Sequence, residues 1–339
     1  MTVQIRDEVL LNDWHPVAES IKLSNKTMVA AILLDQAIVI WRDQIGKIQA
    51  FEDRCPHRGM KLSMGSITPD GNLECPYHGW QFNHQGSCEH IPALPHLCKT
   101  QLKGQLKSYQ VQEAYGLVWV CLGLPAQGVV EFPEYADPQL RKIGCGPYEV
   151  QSSGPRIIEN FLDMAHFAFV HESILGDKEQ SAIRDYEVEV FQDEIYGSGI
   201  WAKKCFAWQP RSNALASSGS NVEYTYRVVR PLTAILTKEP LAQADFREAI
   251  SLHLQPVTET ITRAWIILAM NNFEQTDEEL RAFQDTIFLQ DKPIVENQVP
   301  LRLPLAPGAE MSTVCDKMSL AYRRYLKGKN LKYGIISLD

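Results

Sequence analysis

Cys55-Pro56-His57 and Cys75-Pro76-Tyr77-His78 bring two cysteines and two histidines close together, each pair in a short loop ending at a glycine, Gly59 or Gly79. For four such ligands to converge, the surrounding chain has to be a scaffold that presents two loops together. The flanking sequence offers strands for that purpose. Residues 28–34, 37–43 and 47–53 (MVAAILL, AIVIWRD, KIQAFED) read as three strands broken by Asp35-Gln36 and by Gln44-Ile45-Gly46. The turn signal Pro69-Asp70-Gly71-Asn72 lies between the ligand pairs, and strands return at 107–123, KSYQVQEAYGLVWVCLG. The first domain is therefore expected to be all-β and to cover residues 1–130, closing in the Pro-rich stretch LPAQGVVEFPEYADP.

A structural zinc can use two Cys and two His, but three features count against it. Cys precedes His in both loops, so one metal can take both thiolates while a second takes both imidazoles. That division is what a [2Fe–2S] centre with two histidines on one iron requires. Pro56, Gly59, Pro76 and Gly79 suit tight turns whose N–H groups face cluster sulfurs. Trp80 and Phe82 supply apolar cover for a centre whose potential depends on limited water. CPHRGMKLSMG and CPYHGW closely resemble the Rieske signature, with Cys55, His57, Cys75 and His78 as the cluster ligands. Respiratory-chain Rieske subunits carry an extra Cys in each loop, paired as a disulfide. Met60 and Tyr77 stand at those places here, which implies the lower-potential kind of oxygenases and ferredoxins, nearer ~−150 mV.

A ferredoxin needs only that first domain, whereas 339 residues allow two. The net charge of −8 argues against nucleic acid or an anionic membrane as the main partner. The longest apolar runs, MVAAILL and AWIILAM, fall far short of the ~18 residues of a membrane span. MTVQIRDEVLLNDWH is too polar for an export signal, so a cytoplasmic protein is expected. Of the 8 cysteines, only Cys55 and Cys75 have a ligand-like context.

Residues 131–339 read as an α+β domain. PRIIENFLDMAHFAFVH has a helical apolar period over 155–171. Stretches beginning at Asp185, Asn221, Ala249 and Ile261 alternate or run apolar, as a large antiparallel sheet would. TDEELRAFQDTIFLQDKPIVENQ closes the domain as a helix, with Thr276 and Asp277 as N-cap candidates. Asp163 and His166 share a helical face, but His171 is ~140° around from His166, so the helix must end or distort for both imidazoles to meet one metal. An isolated H-x₄-H reads as a pair of core histidines. A one-electron donor in the same chain needs an acceptor, however, and histidines with a carboxylate make the usual ferrous oxygen-activating centre. Counting ~100° per residue from Leu280 puts Asp291 within a stripe of Leu280, Phe283, Ile287 and Ile294. Asp285 and Glu296 fall on the opposite face, expected to be solvated. A carboxylate facing the core is costly unless paired or metal-bound. Asp291 is thus the expected third ligand beside His166 and His171, and Asp163 the group that orients an imidazole.

With both sites present, the chain resembles the catalytic subunits of Rieske non-haem iron oxygenases over nearly its whole length. The resemblance implies an all-β Rieske [2Fe–2S] domain followed by a helix-grip catalytic domain holding a mononuclear Fe(II). It also implies a homotrimer, a head-to-tail ring in which Asp163 links His166 to His78 of the partner subunit. A separate flavin/iron–sulfur reductase or ferredoxin would deliver electrons from NAD(P)H, with O₂ as co-substrate and a small organic molecule as substrate. Within the α₃ monooxygenase branch, YGLVWVCLG, HFAFVHESILGD and AYRRYLKGKNLKYG are most similar to the cyanobacterial oxygenases of saxitoxin biosynthesis. That similarity implies hydroxylation of a C–H bond on a guanidinium alkaloid. An O- or N-demethylase of an aromatic or amine substrate uses the same metals and differs only in the pocket. A Rieske electron-transfer protein is the alternative from another class. Trp201, Trp208, Tyr224, Tyr226 and Met270 are candidates for the pocket wall, which strand alternation leaves undecided against the core.

Overall fold

Consecutive hairpins account for most of the first unit, Met1–Val129. The computed structural model describes residues 7–24, 27–193, 197–211, 216–243 and 245–337. Residues 1–6 of the polar N-terminal stretch and 194–196 within the segment starting at Asp185 lie outside the described residues. Met28–Leu33, Gln36–Arg42 and Ile48–Glu52 pair as one antiparallel sheet, turning first at Leu34-Asp35, where φ is 52° and 61°. His15–Glu19, Leu117–Cys121 and Gln110–Ala114 make a second sheet. A third sheet consists of Ser66–Ile67, Leu73–Glu74, Gln81–Phe82 and Cys88–His90. In it Glu74 pairs with Gln81, so residues 75–80 are the loop of a hairpin. Trp41, Phe51, Leu62, Leu73 and Phe82 pack beneath the loops in one core that also takes in Cys55 and Cys75.

The second unit, Val130–Asp339, is built on one seven-stranded antiparallel sheet. Its strands are β1 (Arg141–Val150), β2 (Glu187–Asp193), β3 (Gly197–Gln209), β4 (Ser220–Arg230), β5 (Thr233–Pro240), β6 (Glu248–Thr258) and β7 (Ile261–Met270). They lie in the order β1-β7-β6-β5-β4-β3-β2, a meander from β2 to β7 with β1 added beside β7. Besides the single turn Pro133–Ala136, the α-helices are α1 (Gly154–Phe161), α2 (Phe167–Val170), α3 (Asp277–Glu296) and α4 (Lys317–Gly328).

Two helices replace the continuous one expected over 155–171. Ser153 caps α1, its Oγ accepting from the Arg156 N–H at 3.4 Å. After α1 ends, the Asp163 carboxylate accepts the Ala165 N–H at 2.7 Å, a local bond that competes with helical pairing. The single turn of α2 follows, with His166 as its N-cap and His171 as its C-cap. This break removes the angular separation that a regular helix would impose on the two imidazoles.

Thr276 caps α3 in a reciprocal box: its Oγ accepts from the Glu279 N–H at 3.2 Å, and the Glu279 carboxylate accepts from the Thr276 N–H at 2.8 Å. The buried arc of α3 is Leu280, Phe288 and Val295, whereas Ile294 is 43% exposed. The expected stripe is thus displaced, because α3 packs against β1 and α1 at once. The same packing corrects the reading of Asp285 and Glu296 as solvated. Asp285 accepts from the Tyr148 hydroxyl on β1, and Glu296 accepts from the Gln151 N–H at 2.8 Å and pairs with Lys292. Among the described residues, no helix is long and apolar enough to cross a membrane.

Candidate metal centres and substrate cavity

The two loops of the first unit are closed alike. Cys55 N–H donates to Met60 O at 2.8 Å and Gly59 N–H to Cys55 O at 2.8 Å; Cys75 N–H donates to Trp80 O at 2.8 Å and Gly79 N–H to Cys75 O at 3.0 Å. Each closure needs a left-handed residue, and the glycines adopt φ of 71° and 67°. At Gly79 a Cβ would also come within 2.9 Å of Pro92. Asp53 ties down the chain after the first loop by accepting from Ser63 N–H at 2.7 Å and Ser63 Oγ at 2.6 Å.

This framework buries the cysteines and leaves His57 and His78 exposed, with ring centroids 4.5 Å apart. Trp80 stacks on His57 at 4.7 Å with 6° between planes, and Tyr77 lies 3.9 Å from His78. Burial, with the Cys75 thiol alongside, pushes the Cys55 thiol up to about 11 against the pull of the His57 and Arg58 N–H groups. Such a thiol stays protonated at neutral pH until a metal balances its charge. Desolvation, then the neighbouring His78 and Arg58, hold the His57 imidazole below its usual value and therefore neutral. Two inner sulfurs and two outer nitrogens suit a cluster with unlike irons.

In the second unit, His166 Nε2 lies 3.3 Å and His171 Nε2 3.1 Å from the same oxygen of Asp291. The three ligand atoms are within 4.8 Å of one another. His166 Nδ1 is 3.2 Å from Asp163, and His171 Nδ1 is 2.8 Å from Gln290 Oε1. Those outer acceptors hold the Nδ1 protons and leave both Nε2 atoms facing Asp291. Asn160 donates to Asp291 at 3.4 Å. Burial pulls the His166 imidazole down, but hydrogen bonds to Asp163 and Asp291 outweigh it and raise it to about 9. Burial raises the Asp291 carboxyl, yet both imidazoles outweigh it and lower it to about 2. Two nitrogens and one carboxylate focused on one point match the donor set of a ferrous oxygen-activating site. A cation there would displace the proton that this cluster otherwise shares.

A cavity with about 770 Å³ of free space, partly continuous with solvent, adjoins this cluster. His166, His171 and Asp291 form part of its wall, Phe161, Phe167, Phe283 and Phe288 line it from the helices, and Tyr224 and Tyr226 line it from β4. Of the pocket candidates, the two tyrosines therefore face the cavity, while Trp208 and Met270 border separate small voids. Trp201 packs against Phe191. Sequence reasoning missed Asn160, Gln290, Lys238 and Glu248. Lys238 has the strand parity of Leu236, and Glu248 that of Ile250 and Leu252, so a period-two count would have flagged charges on an apolar face.

Residues 13–110 match the Rieske [2Fe-2S] domain, and residues 150–330 match the vanillate O-demethylase oxygenase C-terminal domain. The second match alone takes in more than half of the chain. The chain belongs to the Rieske oxygenases. It is similar to the methylxanthine N1-demethylase NdmA of Pseudomonas putida, with 30% identity over 333 residues that cover 94% of this chain and 89% of that protein. A probable methylxanthine N7-demethylase, NdmC of Pseudomonas sp. strain TJI-51, is 41% identical over 220 residues, 65% of this chain and 77% of that one. The structure of Pseudomonas putida CBB5 NdmA with caffeine superposes with a TM-score of 0.79 at 28% identity, covering 94% of this chain and 91% of that one. As a Rieske oxygenase, the chain is an oxidoreductase that works with a [2Fe–2S] cluster, a mononuclear iron, O₂ and reductase-supplied electrons. The α+β fold expected from the sequence, with an all-β Rieske part and a large antiparallel sheet, is the one found. The demethylase alternative fits these relatives better than alkaloid hydroxylation does.

Proposed function

We propose that this Rieske oxygenase removes an N-methyl group from a planar nitrogen heterocycle of the methylxanthine type. The observation that carries the reading is the aromatic cavity beside His166, His171 and Asp291 in a chain similar to methylxanthine demethylases. Residues 1–130 would be the electron-receiving domain, with Cys55 and Cys75 on one iron of the cluster and His57 and His78 on the other. Residues 131–339 would be the catalytic domain, with His166, His171 and Asp291 holding the mononuclear iron. When bound, that iron supplies O₂ activation, placing one oxygen atom in a C–H bond of the N-methyl group.

The overall change is R₂N–CH₃ + O₂ + 2 e⁻ + 2 H⁺ → R₂NH + HCHO + H₂O, because the hydroxymethyl amine collapses to amine and formaldehyde. Hydroxylation and demethylation thus share one oxidation and differ in the fate of the product. The chain's own residues orient the reaction. The flat walls of Phe161, Phe283 and Tyr226 hold a ring in place, and Asp163 and Gln290 retain the Nδ1 protons of the two imidazoles.

Asp163 also has 34% of its side chain exposed beyond its bond to His166, and His78 is exposed. These exposures support a homotrimeric ring in which Asp163 meets His78 of the partner subunit. Eight free cysteines support a reducing, cytoplasmic setting. The test is formaldehyde release with a reductase and NAD(P)H from caffeine and theobromine, against vanillate and a guanidinium alkaloid. Turnover of vanillate or the alkaloid alone would overturn the reading.

A further inference from the structure

We propose that Lys238 and Glu248 together recognise a lactam edge, a ring carbonyl beside a ring N–H, on the substrate held in the cavity. This rests on the N-demethylase reading and adds the group by which the ring is chosen and oriented.

Lys238 on β5 and Glu248 on β6 are direct partners in the sheet register, and Tyr224 on β4 is paired with Lys238 on its other side. All three line the cavity. The Lys238 and Glu248 side chains are only 5% and 9% exposed. Their closest approach is 3.5 Å, longer than the ~2.8 Å of a charge-assisted hydrogen bond. Glu248 Oε2, the oxygen that faces Lys238 at that distance, is buried and makes no hydrogen bond. The Tyr226 hydroxyl, on the same floor, is likewise buried and without a partner. An apolar floor that carries unused donor and acceptor capacity is arranged for a polar occupant, since buried polar groups are otherwise costly.

The two charges define that occupant. An anion lying over the pair meets Glu248, and a cation meets Lys238, so carboxylates and guanidinium groups are both disfavoured. A neutral ring with an acceptor and a donor side by side satisfies both: its carbonyl accepts from the Lys238 ammonium and its N–H donates to the Glu248 carboxylate. The aromatic walls require that ring to be flat. Lys238 and Glu248 are thereby specificity-determining residues, distinct from the metal-facing His166, His171 and Asp291.

Theobromine and caffeine separate the hypotheses, because they differ only in N1–H against N1–CH₃. A site that hydrogen-bonds an N–H discriminates strongly against the analogue without it. Calorimetric titration of the metal-loaded, full-length protein is expected to show theobromine binding at least ~10-fold tighter than caffeine. The double variant Lys238→Met with Glu248→Leu removes both charges and both hydrogen-bonding groups together, so no buried charge is left unpaired. It should keep its iron and sulfide content and bind the two purines equally. Equal binding by the parent protein, or a preference that survives in the double variant, overturns the proposal while formaldehyde release still upholds N-demethylation. Failure of both purines to bind and to release formaldehyde overturns the function and the proposal together.

Discussion

Helix α3 holds His171 by both ring nitrogens: Gln290 Oε1 lies 2.8 Å from Nδ1, and the next residue, Asp291, lies 3.1 Å from Nε2. The first contact fixes the tautomer that lets the second nitrogen bind metal. Gln290→Leu removes the acceptor and frees the ring to rotate. The expected result is a mononuclear iron affinity weaker by ~10–100-fold. Iron titration measures it, with the visible spectrum of the cluster as an internal control. Unchanged affinity would mean that packing alone orients His171.

Asp291 and Asp285 offer a direct comparison on the same helix. Asp291→Ala should lower the iron content from about three to about two per chain and leave two sulfides, since the cluster ligands are elsewhere. Asp285→Ala should leave all three irons, because Asp285 faces Tyr148 on β1 instead of the cavity. Metal and acid-labile sulfide analysis of both variants decides which carboxylate is the ligand.

Asp163 has two separate duties, one oxygen on the Ala165 N–H and the other toward His166. Asp163→Asn keeps an acceptor for Ala165, and so keeps the helix break, but places an amide toward His166. The cluster should remain bound and, with iron supplied to saturate the weakened second site, steady-state turnover should fall by about 100-fold. Product formation at the parent rate, with full metal content, would overturn the proposed link through Asp163 between the cluster and the mononuclear iron.

The loops were legible in the sequence because their chemistry is local: ligand, proline and glycine follow one another within six residues. The Thr276 capping box was equally legible, for the same reason. The break after α1 was foreseen only as a necessity of the two imidazoles. Its cause, the Asp163 bond to the Ala165 N–H, depends on a rotamer that periodicity does not encode. Ile294 and Asp285 were misplaced because a helical wheel assumes one buried face, whereas α3 contacts both β1 and α1. Gln290 acquires its role only through His171, 119 residues away in the chain, whereas Lys238 was open to a period-two count.

Tyr148 joins β1 to α3, stacking on Phe288 at 4.1 Å with 17° between planes and donating its hydroxyl to Asp285. Tyr148→Phe keeps the ring and strands a half-buried carboxylate. A loss of about 1–2 kcal/mol is expected, or roughly 3–6 °C in the melting temperature of a domain of this size. Combining it with Asp285→Leu removes both polar groups and should recover much of the loss. Calorimetric melting of the single and double variants checks this, and a silent Tyr148→Phe would mean that water replaces the hydroxyl at no cost.

Trp80 covers one face of an otherwise exposed His57, stacked 4.7 Å away and nearly parallel. A cluster of two ferric ions, two sulfides and two thiolates carries no net charge with neutral histidines, and gains one negative charge on reduction. Water stabilises that charged, reduced form. Trp80→Ala admits water to the imidazole face, so the reduction potential should rise, by roughly 30 mV if the reduced form gains ~0.7 kcal/mol for this one-electron step. Potentiometric titration followed in the visible spectrum measures the shift, with iron and sulfide content confirming assembly. A potential that stays put or falls would show that Trp80 supports the loop mechanically without setting its hydration.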